Sequence, residues 1–176
     1  VVCVSGASGS VYPRRLLTLL QGVQEGSLPG VDARPDLQVH WTASRNAHVV
    51  WKQELGEDMP ETFGKARRWG TMDFNAPFAS GSSAPDAVIV APCSMSTLAR
   101  VANGGGSDLM SRACEVALKE RKKLILLVRE TPLSLVHLRN MVAATEAGAL
   151  ILPAVPSFYA GVRDLEGAID TVVSRA

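Results

Sequence analysis

The sequence predicts an α/β fold: a doubly wound, Rossmann-like or flavodoxin-like parallel sheet flanked by helices, formed by a single domain over residues 1–176. Three observations carry this. Short apolar runs rich in β-branched residues recur at residues 1–5, 37–43, 87–91, 123–128 and 149–152. Helical periodicity follows each of them, and that alternation yields a parallel sheet covered on both faces. With 176 residues, 47% hydrophobic and 20% charged, the chain can bury one core and lacks the composition of a disordered segment.

The elements follow in order. The run over 1–5 meets Gly6-Ala7-Ser8-Gly9, and then Val11, Leu16, Leu17, Leu20 and Val23 recur at helical spacing, so strand, Gly-rich turn and helix succeed one another. Pro13 fits that helix only in its first turn, where a missing N–H costs little. Residues 25–35, with turn formers and two prolines, read as a surface loop. A second strand over 37–43 reaches Ser44, an N-cap for a helix ending near Leu55.

Residues 56–81 are the least regular, rich in charge, Gly and Pro. The third strand, 87–91, runs into Pro92-Cys93-Ser94, with helical pattern from Ser96 until Asn103-Gly104-Gly105-Gly106 interrupts it. Asp108 opens another helix, predicted to extend through Lys122. A fourth strand over 123–128, a helix over 133–148, a fifth strand over 149–152 and a last helix over 165–175 complete the pattern. No repeat, low-complexity tract or linker breaks it.

Composition removes several function classes. Eighteen Lys and Arg against 17 Asp and Glu give a net charge of +1, which leaves no broad basic face for nucleic acid. No apolar stretch reaches the 18 or more residues of a membrane span, and the first residues lack the basic and apolar regions of a signal peptide, so a cytoplasmic location is expected. Cys3, Cys93 and Cys114 are odd in number without CxxC spacing, and His40, His48 and His137 are scattered; neither a disulfide framework nor a metal site is expected.

In doubly wound sheets, ligands bind beyond the C-terminal ends of strands, and this sequence places distinctive residues there. After strand one, Ser5-Gly6-Ala7-Ser8-Gly9 lets backbone N–H groups approach an anion at a helix start. It matches neither the dinucleotide fingerprint nor the Walker loop, and a plain tight turn explains it equally well. Ser94-Met95-Ser96-Thr97 after strand three is hydroxyl-rich, as a simple N-cap also would be. Cys93 beside it reads as a small buried thiol. Arg129-Glu130 after strand four suits phosphate binding and proton transfer, or an ion pair between the two. Pro153-Ala154-Val155-Pro156-Ser157-Phe158-Tyr159 after strand five is a stiffened loop presenting a phenol. The run from Lys119 to Lys123 reads as a solvated helix end that suits the helix dipole, and Trp41, Trp51 and Trp69 as packing or interface residues. Together the strand ends suit a phosphorylated ligand.

Longer motifs carry a resemblance. SGASGSVY, DFNAPFASGSSAPDAVIVAPCSMSTLARVANG, SRACEVALKERKKLILLVRETPLSLVHLRNM and GALILPAVPSFY together resemble the flavin prenyltransferases (the UbiX family), once described as small aromatic-acid decarboxylases. They lie within a wider flavoprotein group that decarboxylates peptidyl cysteine. The resemblance covers almost the whole chain. It implies transfer of a dimethylallyl unit from dimethylallyl phosphate to N5 of reduced FMN with ring closure at C6, giving prenylated FMN for a partner decarboxylase, without a metal. It further implies that Gly6, Ala7, Ser8, Ser44, Ser94, Met95 and Thr97 bind FMN, and that Arg129 lies between FMN and the donor phosphate. Arg112, Lys119, Tyr159 and Arg175 match phosphate-binding positions. Ser8, Glu54, Glu130 and Lys119 match catalytic ones, so Lys119 is set apart from its solvated neighbours. A homo-oligomer, typically a dodecamer, is implied, with sites at subunit contacts to which Arg112 or a Trp of a neighbour contributes.

The chain departs from the family pattern at Pro13, at Gly104-Gly105-Gly106-Ser107, in a longer loop over 25–35, in the lack of a Pro after Tyr159 across Ala160-Gly161-Val162-Arg163, and in stopping at Arg175-Ala176 without a longer tail. Two other functions remain to be weighed. An FMN-dependent cysteine decarboxylase would need a His at a strand end, whereas His40 is expected inside strand two. A non-catalytic subunit that stores or delivers flavin would not need Lys119, Arg129, Glu130, Tyr159 and Arg175.

Overall fold

Two cores flank the central strands. In β1 (Val2–Val4), Val2 and Val4 face one layer and Cys3 the other; in β5 (Ala87–Cys93), Ile89 and Ala91 oppose Val88 and Val90. In β6 (Lys123–Val128), Ile125 and Leu127 oppose Leu124 and Leu126. Strands buried on both faces must be apolar at nearly every position, which is why they read as continuous runs. The computed structural model describes residues 1–159 and 161–176.

The remaining strands are β2 (Trp41–Ala43), β3 (Thr62–Phe63), β4 (Ala66–Trp69) and β7 (Leu150–Pro153). Among the described residues, the seven strands form one sheet in the order β3-β4-β2-β1-β5-β6-β7, with β3 antiparallel to β4 and the other pairings parallel. Counted along the chain, the six parallel strands take the order 3-2-1-4-5-6 of the dinucleotide-binding architecture. The chain leaves β1 in one direction and returns through β5 in the other. The switch point, where a crevice opens at the C-terminal edge, lies between those two strands.

Helices α1 (Val11–Glu25), α2 (Arg45–Leu55) and α6 (Leu165–Val173) cover one face, where Leu17, Trp51 and Val172 pack on Val2 and Val4. Helices α3 (Met95–Asn103), α4 (Leu109–Lys119) and α5 (Leu135–Glu146) cover the other with Leu98, Met110, Ala113 and Ala144. No helix among the described residues is long and apolar enough to cross a membrane.

The structure corrects several expectations. The second strand starts at Trp41, four residues later than predicted: the Leu37 carbonyl is taken by the Gln24 side chain, and the chain first meets the sheet where the His40 carbonyl accepts the Val2 N–H. The irregular stretch holds a hairpin, β3–β4, turning through Gly64 at φ +54°. Its strand signal is masked by Arg67 and Arg68, which are tolerated near the sheet edge because their guanidinium groups lie over Trp69 and Trp41 at 5.5 and 5.6 Å.

Helix α4 stops at Lys119 rather than Lys122, since Arg121 adopts φ 56° and Lys122 reaches Asp86 at 3.1 Å. Arg121 to Lys123 are therefore not a helical face. Helix α6 ends at Val173, leaving Arg175 beyond it. Trp41 and Trp51 are fully buried, so neither can reach a neighbouring subunit.

Candidate active site

Three helices begin at the C-terminal edge of adjacent strands. α1 follows β1, α2 follows β2 and α3 follows β5, and these strands are neighbours in the order β2-β1-β5. Each first turn has N–H groups without an intrahelical partner and carries the positive end of a helix dipole. Three such ends around one crevice favour an anionic ligand.

Ser5 pins the crevice from below. It is buried, its hydroxyl donates to the Pro92 carbonyl at 2.6 Å and accepts the Ser94 N–H at 2.8 Å, and the Ala7 N–H lies 3.5 Å away. One side chain thus locks the turn after β1 to the turn after β5. In the sequence Ser5 stands at the edge of the Gly-rich turn, and the signal of its role is a polar residue closing a buried β1. Gly6 is required for close approach, because a Cβ there would lie 2.6 Å from Asn46 Cβ at the start of α2. Gly9 is required for its φ of +117°.

Glu54 closes the other side. Its carboxylate accepts the Gly9 N–H at 2.9 Å and the Ser10 N–H at 2.7 Å. Burial pushes its pKa up, but hydrogen bonds from the Ser8 hydroxyl and from the Ser10 and Gly9 N–H groups outweigh this, and the net direction is downward. Glu54 is therefore an anion at neutral pH, beside Ser8.

The predicted hydroxyls fall into place around the crevice. Ser44 caps α2, accepting the Ala47 N–H at 3.2 Å. Ser94 caps α3, accepting the Thr97 N–H at 3.3 Å and lying 3.0 Å from Thr97 Oγ1. Met95 and Thr97 are buried. Arg100 braces this turn from behind, donating to Thr97 Oγ1 at 3.3 Å and to Asp108 at 2.9 Å, while Asp108 caps α4 through the Ser111 N–H. That brace was not foreseen, since no pattern links Arg100 to Asp108 across a Gly-rich turn.

Arg129 follows β6, and its N–H donates to the Cys93 carbonyl at 3.3 Å. Its charge reaches Tyr12 of α1: burial raises the Tyr12 pKa, and Arg129 opposes the rise. Among the described residues no carboxylate lies within ion-pair distance of Arg129. Glu130 instead accepts the Thr131 N–H at 3.0 Å, so the two do not simply neutralise each other. Tyr159 stands fully exposed on its loop and Arg175 is exposed after α6. Ala160, within the departure noted after Tyr159, lies outside the described residues.

One chain does not bring all the predicted residues together. Arg112 and Lys119 lie two turns apart on α4 and line a separate open groove with Val101, Gly104, Leu118 and Arg121. Lys119 closes α4 just before β6 enters the sheet, at the edge opposite the crevice, whereas Arg112 lies in the first turn of α4, whose Leu109 N–H donates to the Thr71 carbonyl at 2.7 Å beyond the end of β4. Arg112 Nε donates to the Ala79 carbonyl at 2.9 Å, and Lys119 pairs with Glu120.

His40 and His137 are placed for other tasks. His40 lies just before β2, at the strand edge away from the crevice, and accepts the Trp69 indole N–H; His137 completes a capping box with Ser134. Cys3 and Cys93 are buried thiols pushed up to about 12, and burial likewise raises Cys114, which supports the packing role read for Cys93.

Comparison with known proteins agrees with this architecture. A family model described as Flavoprotein matches residues 1–174. A curated relative from Methanocaldococcus jannaschii, named flavin prenyltransferase UbiX, is 39% identical over 176 residues, covering 99% of this chain and 89% of its own. A solved structure described as AnUbiX (PadA1) in complex with FMN and dimethylallyl pyrophosphate is 38% identical with a TM-score of 0.84, covering 99% of this chain and 87% of that one. A dodecameric FMN-dependent UbiX-like decarboxylase from Escherichia coli O157:H7 is 33% identical with a TM-score of 0.85, covering 99% and 91%.

Proposed function

The chain belongs to the Flavoprotein family and, within it, to the UbiX flavin prenyltransferases, and from that premise we propose that it transfers a dimethylallyl group from dimethylallyl phosphate to reduced FMN, forming bonds at N5 and C6. The observation that carries this reading is the crevice itself: three helix N-termini and Arg129, which has no carboxylate within ion-pair distance among the described residues, on one strand edge. These residues fit FMN. Gly6, Ala7, Ser8 and Ser44 would line one side of it, and Ser94, Met95 and Thr97 the other. When bound, reduced FMN supplies the electron-rich nitrogen and carbon that become alkylated.

The chain's own groups then have defined tasks. Departure of the allylic phosphate concentrates negative charge on the leaving oxygens, and Arg129, Arg175 and the Tyr159 hydroxyl would stabilise it. Glu54, held ionised against α1, would stabilise cationic charge and accept a proton beside Ser8. Glu130 would handle protons at the rim. The rest of the work is alignment and exclusion of water.

Arg112 and Lys119 would complete the phosphate site from a neighbouring copy, because Lys119 lies at the sheet edge opposite the crevice of its own chain and Arg112 shares its groove. A homo-oligomer is supported by α5, where Leu135, Val136, Leu138 and Val142 are exposed while Ala144 alone is buried. The product would serve a partner decarboxylase in the cytoplasm. A cysteine decarboxylase is disfavoured because His40 lies before β2 against Trp69 and the His137 imidazole is engaged in the α5 capping box. A storage subunit would not need cations left without carboxylate partners.

The test is anaerobic incubation with FMN, reductant and dimethylallyl phosphate, followed by mass and absorbance measurement of the extracted flavin. A flavin heavier by one five-carbon unit supports the reading. Recovery of unmodified FMN from protein that binds it would overturn prenyl transfer and favour storage.

A further inference from the structure

Helix α6 carries no residue expected in the crevice, yet it is tied to the donor side of it by specific polar contacts. Thr171 Oγ1 accepts the Ser157 N–H at 3.0 Å and donates to the Ala168 carbonyl at 2.8 Å. With its proton committed to the helix, the hydroxyl turns a lone pair toward the loop. Ser157 is two residues before Tyr159, and Thr171 is four before Arg175. The same loop is fixed at its other end by Ala154, whose N–H donates to the Val128 carbonyl at 2.9 Å, next to Arg129.

Behind Thr171, Arg15 of α1 binds Asp170 in bidentate fashion at 2.6 and 2.7 Å and reaches Glu166 at 3.0 Å. Ile169, Val172 and Val173 are buried beneath. Arg15 is thus saturated by carboxylates and is no phosphate ligand. Its geometry is that of an anchor.

We infer that Thr171, anchored by the Arg15–Asp170 pair, is a positioning residue for the donor phosphate, setting Tyr159 and Arg175 relative to Arg129; the inference rests on the prenyl-transfer reading above. Tyr159 and Arg175 come from segments with little cover of their own. Without the latch, each would spend much of its time away from the geometry the phosphate requires, and donor binding would bear that conformational penalty. FMN contacts, on the other side of the crevice, would not.

The test measures donor binding rather than turnover. Dimethylallyl phosphate is titrated calorimetrically into the full FMN-loaded chain, and FMN affinity is measured separately by fluorescence quenching. Thr171→Val keeps the side-chain shape and removes the acceptor oxygen. It should weaken the donor Kd about tenfold, the scale of one unsatisfied hydrogen bond, while FMN affinity stays within about twofold. Thr171→Ser should restore most of the donor affinity.

If Thr171→Val does not fold, Asp170→Asn applies the same test through the anchor. Wild-type donor affinity in the Val variant, or equal loss of FMN and donor affinity, would overturn the inference and leave prenyl transfer standing. Failure of the wild type to bind dimethylallyl phosphate would overturn the prenyl-transfer reading and this one with it.

Discussion

The Glu54 carboxylate lies 2.7 Å from the Ser10 N–H, 44 residues earlier in the chain, so the end of α2 supplies an anion to the start of α1. This contact joins two of the three helices that frame the crevice. It also fixes the charge state of a residue that stands next to Ser8.

Glu54→Gln should lower prenylation by at least about tenfold, because the amide keeps a hydrogen-bond acceptor and loses the charge. The pH dependence of stability gives a second readout. The Glu54 pKa is lowered on folding, so its contribution is present in full above the ordinary carboxylate range and disappears as pH falls through the lower folded-state value. Thermal unfolding should therefore separate wild type from variant near neutral pH, and the gap should close progressively as pH falls below the ordinary carboxylate range. A gap of constant size across that range would show that charge is not what Glu54 contributes.

Ser5→Ala should be more damaging than its size suggests. The change leaves the Ser94 N–H without its partner and reduces the Pro92 carbonyl to the Ser5 backbone N–H at 3.4 Å, a loss of about 1–3 kcal/mol. Because the bonds join the turns after β1 and β5, FMN affinity should fall together with the melting temperature. Calorimetry with and without FMN distinguishes this from a loss of stability alone.

The fold was legible wherever burial on both faces made a strand continuous. β6 over 123–128 and the Ser44 cap of α2 were read residue for residue. β4 was not, because a short strand next to the sheet edge whose arginines are shielded by Trp41 and Trp69 has no apolar run to detect. The end of α4 was misjudged because Arg121 to Lys123 match a helix terminus in composition, while the left-handed backbone at Arg121 depends on tertiary contacts. In the site, Ser44, Ser94 and Thr97 could be found at strand ends by position alone. What Ser5 and Thr171 hold together could not, since each acts through a partner 87 or 14 residues distant.

The exposed face of α5 yields a test of assembly. Val136 and Val142 are 63% and 57% exposed in the isolated chain, an arrangement better suited to a protein contact than to water. Changing both to Lys should leave the fold and the circular dichroism spectrum intact and reduce the oligomer observed by sedimentation velocity. Persistence of the full assembly would remove α5 from the interface.

Assembly in turn predicts how defects combine. If Lys119 serves the crevice of a neighbouring copy, Lys119→Ala and Tyr159→Phe impair different halves of each composite site. Each homo-oligomer alone should lose most activity through weaker binding and stabilisation of the donor phosphate. Co-assembled in equal amounts from a denatured mixture, the two variants should regain activity, because about a quarter of the sites would receive an intact Lys119 from one chain and an intact Tyr159 from another. If both residues acted within one chain, no mixed site would be intact and the mixture would remain as impaired as its components.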